Sequence, residues 1–370
     1  MEFDYERLQK KTTNEKKTIF FIIEDYLKKN VLDFDVNQSH LDSSDFRLKL
    51  PKRLLQIILI DTNLFKEVSI EVLRKIDLSE LDFTDKNIEC LDLSYTNANI
   101  DPQTIKGKSL YKTNCRGLNF SSANFTGVWI KGANLEATGA SIDPQKIKGK
   151  CLWGVNCKDL DLSFKDFTGV DVEYSNLEGT HAEIDPQKIQ NKSLNGVNCR
   201  GLDLSHKNFD NVHLRDTNLE ATGASINPQL IHHKCLFGTN CRGLDFSGRN
   251  FFGVEVRFAI LEKTNASIDP QNVEGRNLEN ANLKGLDLRE KDFRKVYLAG
   301  ANLEDTGASI DPQTIASKSL RNTNLKGLDL REKDFTGVCI ANANLENTGA
   351  NLENNMEYMV KKLLLKTRKH

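Results

Sequence analysis

Residues 142–183 read IDPQKIKGKCLWGVNCKDLDLSFKDFTGVDVEYSNLEGTHAE, and this 42-residue unit recurs along the chain. Its opening IDPQ returns at 184–187, 268–271 and 310–313, appears as INPQ at 226–229, and has an earlier copy at 100–103. Self-similarity at a fixed period of this size is typical of solenoid proteins, in which each repeat packs on its neighbours. The repeat therefore predicts a solenoid rather than a set of separate globular domains.

A five-residue period is nested within each unit. Every fifth residue from Cys115 to Ala140 is apolar or small, and a step of two residues, from Ala140 to Ile142, follows before the fives resume. This period fits neither the 3.6-residue repeat of a helix nor the two-residue repeat of a strand. It fits a chain that turns a corner after every five residues.

If four fives make one coil, residues 20 apart, or 22 apart across the insertion, stack in columns. Three such columns contain apolar side chains and no charged residue, and they begin at Ile105, Leu110 and Cys115. The first column continues as Phe125, Ile147, Phe167, Ile189, Phe209, Ile231, Phe251, Val273, Phe293, Ile315 and Phe335. We expect these columns to form the interior of coils stacked about 4.8 Å apart, the spacing of hydrogen-bonded strands.

Within the fives, stretches such as Ala133-Asn134-Leu135 and Ala301-Asn302-Leu303 have a small residue, then Asn, then a central Leu. In this pattern the chain resembles the pentapeptide-repeat family over residues 77–352. The resemblance implies an all-β solenoid, a right-handed quadrilateral β-helix with four pentapeptides per coil and the central residue pointing inward. Two coils then make the 42-residue unit.

The two ends of the chain differ from the repeat in composition. Residues 1–76 carry apolar residues at helical spacing and predict a small, mostly helical N-terminal domain or cap. Residues 353–370 predict a C-terminal helix and a basic tail, with one apolar stripe of Met356, Met359, Val360, Leu363 and Leu364. In relatives of this family such a helix pairs two molecules, so the stripe is either a homodimer interface or a lid on the last coil.

Two ladders of polar residues accompany the insertions. The first ladder is Asp101, Asp143, Asp185, Asn227, Asp269 and Asp311, and it is either a repeated docking edge or turn chemistry, in which Asp caps its own backbone and Pro presets φ. The second ladder is Lys108, Lys150, Lys192, Lys234, Arg276 and Lys318. These basic residues occupy a slot that the family fills with small residues. They are either snorkelling side chains or a stripe that binds anions.

One slot changes its residue in every unit while its neighbours repeat. It holds Trp129, Asp171, His213, Glu255, Tyr297 and Cys339. A slot that drifts within a strict frame predicts solvent exposure, and exposed aromatic residues are enriched at interaction hot spots. Trp129 and Tyr297 are therefore candidate contacts for a partner.

The composition contains little that points to catalysis. The formal net charge is -1, which does not favour direct binding to nucleic acid. No apolar run is long enough to span a membrane. Inward cysteines such as Cys115 and Cys157 are expected to act as small hydrophobic residues of a cytoplasmic protein. His232, His233 and Cys235 resemble a fragment of a metal site without a fourth ligand, so we expect neither a metal nor a cofactor.

We therefore expect a non-enzymatic protein-interaction scaffold, a rigid rod that presents flat faces and the Asp-Pro-Gln ladder to an unknown protein partner. The resemblance supplies an alternative, since some pentapeptide-repeat proteins mimic duplex DNA, bind type II topoisomerases such as gyrase, and confer resistance. Those proteins are acidic and lack the two-residue insertion. A second alternative is an effector or toxin-associated protein that acts through residues 1–76.

Overall fold

The computed structural model describes Arg74 and residues 77–367, and for Lys362, Leu363 and residues 365–367 it describes the backbone alone. The predicted N-terminal helical domain, residues 1–76, lies outside the described residues apart from Arg74, as does the end of the predicted basic tail. The chain divides into two compact units, Met1–Asp166 and Phe167–His370. Each unit is built from coils of the same kind.

Parallel β-bridges join residues that are 20 or 22 positions apart, as the column spacing predicts. In the first unit Asn134 bridges to Asn114 and to Asn156, and in the second unit Asn218 bridges to Asn198 and Asn240. Backbone hydrogen bonds run in both directions between neighbouring coils. The Leu110 amide donates to the Trp129 carbonyl at 2.8 Å, and the Trp129 amide donates to the Lys108 carbonyl at 2.9 Å. Each coil thus covers the backbone polar groups of the next.

The chain turns a corner after each inward residue. At a typical corner the Thr113 amide donates to the carbonyl of Leu110, three residues earlier, at 2.9 Å. The corners require a residue with positive φ, and Gly238, with φ of 66°, illustrates why glycine occurs there. A Cβ added to Gly238 would lie 1.9 Å from the Asp216 side-chain oxygen of the neighbouring coil. Backbone freedom and close approach both favour glycine at this corner.

The interior is filled by the predicted columns. The twelve residues of the column that begins at Ile105 are all buried, and so are the columns that begin at Leu110 and Cys115, with one exception. The exception is Leu345, which is half-buried because it lies in the last coil, where no further coil covers it. Buried hydroxyls lie next to these columns and are hydrogen-bonded. Thr180 donates within its own coil, to the Leu177 carbonyl at 2.7 Å, whereas Thr217 donates to the preceding coil, to the Leu194 carbonyl at 2.7 Å.

Each insertion leads into a short 3-10 turn. The six turns are Lys106–Lys108, Lys148–Lys150, Gln190–Lys192, His232–Lys234, Glu274–Arg276 and Ala316–Lys318. In the first turn Gly107 and Lys108 both have positive φ, of 66° and 46°. The residues of the basic ladder therefore all lie at left-handed backbone positions.

Within the residues that the structure describes, one α-helix, α1, spans Met356–Thr367. Asn355 caps it by accepting a hydrogen bond from the Tyr358 amide at 3.0 Å. The same Asn355 is 1% exposed, and its amide group donates to the carbonyls of Phe335 and Val338 at 2.9 and 2.8 Å. The start of α1 is thus fastened to the final coils by one buried side chain.

Candidate functional site

The carboxylates of the Asp-Pro-Gln ladder are engaged in their own turns. Asp143 Oδ1 accepts a hydrogen bond from the Gln145 amide at 3.0 Å, and the same bond forms at each of the other five insertions. Burial alone would raise the pKa of Asp143, but the Gln145 amide and the Lys146 ammonium outweigh it and lower that pKa. These interactions are the turn chemistry expected of Asp at such positions. The ladder as a docking edge remains a prediction.

The glutamine of each insertion holds two coils together. The Gln187 side-chain amide donates to the carbonyls of Asn208 and Asp210, at 3.1 and 2.9 Å. Equivalent bonds start from Gln103, Gln145, Gln229, Gln271 and Gln313. Sequence analysis noted the constancy of this glutamine without assigning it a role. Its acceptors lie 21 and 23 residues ahead and belong to the neighbouring coil, so the bond is visible only in three dimensions.

The basic ladder lies along the same edge. Lys108, Lys150, Arg276 and Lys318 are exposed, and Lys192 and Lys234 are half-buried. The Lys108 ammonium donates to the Gln103 side-chain oxygen at 2.8 Å, and Lys318 donates to that of Gln313 at 2.7 Å. At these two rungs the lysine reinforces the glutamine clamp. The anion-binding role of the ladder stays a prediction.

The drifting slot is less exposed than the sequence suggested. Trp129 and His213 are half-buried, Glu255 is 8% exposed, and only Tyr297, at 42%, counts as exposed. The prediction of an exposed Trp129 was therefore wrong. The reason is that the slot lies in a bridged column, in which Ser109 pairs with Trp129 and Ser193 with His213, so that neighbouring coils cover part of these side chains.

Both tryptophans lie on one face of the first unit. Trp129 directly precedes the inward residue Ile130, Lys131 directly follows it, and Trp153 occupies the position of Lys131 on the next coil. The Lys131 ammonium lies 4.4 Å from the centre of the Trp153 ring, and the Lys148 ammonium lies 5.6 Å from that of Trp129. These are cation–π distances. Sequence analysis missed Lys131 and Trp153 because it compared only the positions before each inward residue.

A depression of about 430 Å³ adjoins Trp129. Its walls are formed by Trp129, Lys106, Lys148, Glu89 and Asn87, together with Gly107 and Ser109. The Glu89 carboxylate accepts a hydrogen bond from the Ser109 hydroxyl. The depression thus combines two ammonium groups, one carboxylate, one amide and an indole.

A second face carries an amide ladder with charges of alternating sign. In the second unit the Asn218 side-chain amide donates to Asn198 at 2.9 Å and accepts from Asn240 at 2.9 Å. Two residues after each position of this column, basic and acidic side chains alternate from coil to coil. In the first unit these are Arg116, Glu136 and Lys158, and in the second they are Glu178, Arg200, Glu220, Arg242, Glu262, Lys284, Glu304, Lys326 and Glu346.

The alternating charges neutralise one another across neighbouring coils. Arg116 pairs with Glu136 at 3.0 Å, and Lys284 pairs with Glu304 at 3.1 Å. A surface that mimics DNA needs a surplus of acidic groups, and this column has none. Its geometry therefore weighs against the topoisomerase alternative on this face.

One coil of the second unit departs from the polar surface of its neighbours. Ile260 interrupts the asparagine ladder, and Phe252 and Phe258 are 61% and 47% exposed where other coils have mainly polar residues or glycine. Nearby, the Phe237 ring lies between two guanidinium groups, 4.2 Å from Arg215 and 5.5 Å from Arg257. Aromatic and arginine side chains in such proximity are typical of interaction hot spots.

The histidines and cysteines do not assemble a metal centre within the described part of the chain. The His213 and His232 rings stack at 3.6 Å, and His233 lies 4.0 Å from His232. Burial and the two neighbouring imidazoles lower the pKa of His232. The inward cysteines are fully buried, and burial raises the pKa of Cys157 and Cys199 to about 12, which suits the small hydrophobic role predicted for them.

The apolar stripe of α1 is open along the residues whose side chains are described. Met356 is 78% exposed, Val360 51% and Leu364 59%, while Met359 is 39% exposed. The side chain of Leu363 lies outside the described residues. The predicted lid would bury these side chains, and the described ones are not buried.

Comparison with known protein families identifies the type of repeat. A family model described as pentapeptide repeats matches in eight copies, over residues 109–136, 193–222, 277–306 and 319–354. The matched residues are pentapeptide repeats. The coils described above are accordingly those of a right-handed β-helical solenoid. No curated protein sequence matches the chain.

Among solved structures, the chain is similar to HetL, a pentapeptide repeat protein involved in heterocyst differentiation regulation from the cyanobacterium Nostoc sp. strain PCC 7120, known at 2.0 Å resolution. The two are 21% identical, and the match covers 73% of this chain and 92% of HetL with a TM-score of 0.13. The regulatory role is a property of HetL. Among the described residues of the present protein, no helix has the length and apolar character needed to cross a membrane.

Proposed function

We propose that this pentapeptide-repeat protein is a non-enzymatic interaction scaffold that holds side chains on its outer faces for a protein partner. The observation that carries the proposal is the contrast between the two sides of each coil. Inward positions are filled by apolar residues, most of them 0–4% exposed. Outward positions hold charged, amide and aromatic side chains in columns fixed by backbone bridges.

A fixed outer face suits protein recognition because its side chains are ordered before a partner arrives. Preorganised groups lose less conformational entropy on binding than flexible ones. The face with Trp129 and the coil with Phe252 and Phe258 each combine aromatic and basic side chains, the residue types enriched at hot spots. The balanced asparagine face has fewer such anchors. Specific recognition is therefore expected on the aromatic faces.

Site-specific crosslinking of the full chain in its source cells tests this proposal. A photoreactive amino acid would be placed at Tyr111, which precedes Lys131 by one coil in the column of Lys131 and Trp153, or at Tyr297. Lys284 on the balanced face would serve as a matched control. We expect one protein partner to be crosslinked from an aromatic position and not from Lys284. Absence of a crosslinked partner at every position, or substrate turnover by the purified chain, would overturn the scaffold proposal.

We also propose that the α1 stripe of Met356, Met359, Val360, Leu363 and Leu364 pairs two copies of the chain. The support is that Asn355 fastens the start of α1 to the final coils while the described apolar side chains stay exposed. Met359→Glu should convert a dimer to a monomer in sedimentation analysis. Lys361→Glu, on the same helix, serves as the charge-changing control. A monomeric wild-type protein at micromolar concentration would refute this pairing.

A further inference from the structure

Residues 106–158, a part of the first unit, carry a local surplus of positive charge that the net charge of the whole chain conceals. Between Lys106 and Lys158 lie nine basic and two acidic side chains. Both acidic residues are already paired, Glu136 with Arg116 and Asp143 with Lys146. The other seven basic residues make no ion pair within the part of the chain that the structure describes. They are Lys106, Lys108, Lys112, Lys131, Lys148, Lys150 and Lys158.

The turn geometry does not require this charge. In the second unit the position of Lys106 and Lys148 is taken by Gln190, His232, Glu274 and Ala316, in 3-10 turns of the same backbone conformation. Lys106 and Lys148 are exposed and contribute no hydrogen bond from their ammonium groups to the described residues. Their charge is thus free for an external ligand.

The depression beside Trp129 restricts what that ligand is. Lys106 and Lys148 favour anionic groups, whereas Glu89 offers its second carboxylate oxygen to a hydrogen-bond donor. Its first oxygen accepts from Ser109, and the Asn87 side-chain oxygen accepts from the Glu89 amide. An acidic polypeptide supplies both an anion and a donor, with carboxylates for the lysines and backbone N–H groups for the second Glu89 oxygen. A nucleic acid presents an unbroken row of phosphates, which the Glu89 carboxylate would repel.

The tryptophans also favour a polypeptide. Binding of single-stranded nucleic acid relies on bases that stack on open aromatic faces. Here a lysine ammonium already lies over the Trp129 ring and another over the Trp153 ring, at 5.6 and 4.4 Å. Each lysine places its ammonium group beside an indole ring. A carboxylate can pair with that ammonium group while the ammonium stays in contact with the ring.

We propose that the depression around Trp129, with Lys106 and Lys148 at its rim, binds an acidic segment of a partner polypeptide. The inference rests on the scaffold function proposed above and assigns to it one surface and one class of partner. The surrounding lysines attract the segment, and the depression seats one of its acidic side chains beside the indole.

The test uses the full chain and a 12-residue poly-glutamate peptide as the probe. Trp129 and Trp153 are the two tryptophans of the protein, so intrinsic fluorescence reports directly on this face. We expect a saturable change in tryptophan fluorescence whose midpoint moves to higher peptide concentration as salt is added, because exposed charges are screened. No saturable change at low salt would overturn the inference.

The test variant carries Lys106→Gln and Lys148→Gln. Glutamine occurs at the equivalent position of the turn Gln190–Lys192, so we expect the variant to keep the fold, and an unchanged melting temperature would show this. We expect affinity for the peptide to fall roughly five- to tenfold, from two exposed charge pairs. The matched control is Lys192→Gln together with Lys318→Gln, in the turns of the second unit. It should leave the affinity within about twofold.

Three results would overturn the inference. Equal losses in the Lys106/Lys148 variant and in the control would mean diffuse attraction to the whole surface. Tighter binding of a 12-residue oligothymidine that depends on Lys106 and Lys148 would assign the face to nucleic acid. If the partner found by crosslinking binds the Lys106/Lys148 variant unchanged, the scaffold function stands and this site fails.

Discussion

The Gln187 carboxamide joins its own insertion to the next coil, and its replacement tests whether the insertions stabilise the solenoid. Gln187→Ala removes two hydrogen bonds, to the carbonyls of Asn208 and Asp210 at 3.1 and 2.9 Å. Each such bond contributes about 0.5–1.5 kcal/mol net, which gives a total of about 1–3 kcal/mol. Since Gln187 is only half-buried, water partly replaces it, and we expect a loss of about 1–2 kcal/mol.

Native-state hydrogen exchange measures this loss where it occurs. Stability in a solenoid is a sum of local and nearest-neighbour terms, so a local probe is more informative than a single melting temperature. The Asn211 amide, which donates to the Leu230 carbonyl at 2.8 Å, lies next to the clamped segment. A loss of 1–2 kcal/mol predicts roughly 5- to 30-fold faster exchange in residues 208–213.

Gln190 provides the control within the same turn. It is exposed, and its side chain makes no hydrogen bond to any residue that the structure describes. Gln190→Ala should therefore leave exchange in residues 208–213 unchanged. Equal exchange rates in the Gln187→Ala and Gln190→Ala proteins would refute the reasoning, because the carboxamide would then add nothing to the contact between coils.

Three further predictions concern the core, the thiols and a half-buried ion pair. Leu219→Ala, at a fully buried inward position, should cost about 2–5 kcal/mol in thermal unfolding, whereas the volume-conserving Leu219→Met should cost less than about 1.5 kcal/mol. Iodoacetamide at pH 8 should modify the exposed Cys90 and spare Cys199, whose pKa burial raises to about 12, as read by mass spectrometry. Burial by itself raises the pKa of Glu255, but bonds from Arg257 outweigh it and lower that pKa. Arg257→Gln should thus destabilise the protein at pH 7. The difference from wild type should shrink only as pH falls below the ordinary carboxyl range near 4 and through the lowered pKa of Glu255, below which its carboxyl is neutral in the folded protein.

The period of the inward residues predicted the coil correctly because burial acts on every coil in the same way. A charged side chain at any slot of the column from Ile105 would lose its hydration without a partner, which is costly. Every repeat therefore has an apolar residue at this position, and the burial of all twelve residues of the column confirms the prediction. Leu345 departs because the constraint ends with the last coil.

The contacts between coils were harder to predict because they depend on register. The Gln187 side chain bonds to the backbone carbonyls of Asn208 and Asp210. Because every residue has a backbone carbonyl, the residue types at these two positions do not reveal the bond. The exposure of Trp129 was misjudged for a related reason. Variation at a slot shows that no fixed side chain is needed there, but the half-burial of Trp129 comes from neighbours above and below in its column.

Because nearly every coil repeats the same solution to the same packing problem, departures from the repeat carry the information about function. Lys106 and Lys148 occupy a turn position that also accepts Gln190 and Ala316, so packing does not explain their charge. Ile260 likewise occupies a column in which Asn198, Asn218 and Asn240 form a ladder of side-chain hydrogen bonds, and as a half-buried residue it gives up such bonds without filling the core. Selection for stability alone would favour the repeat residue at such positions. We therefore expect a partner to contact the surfaces around Trp129 and Ile260.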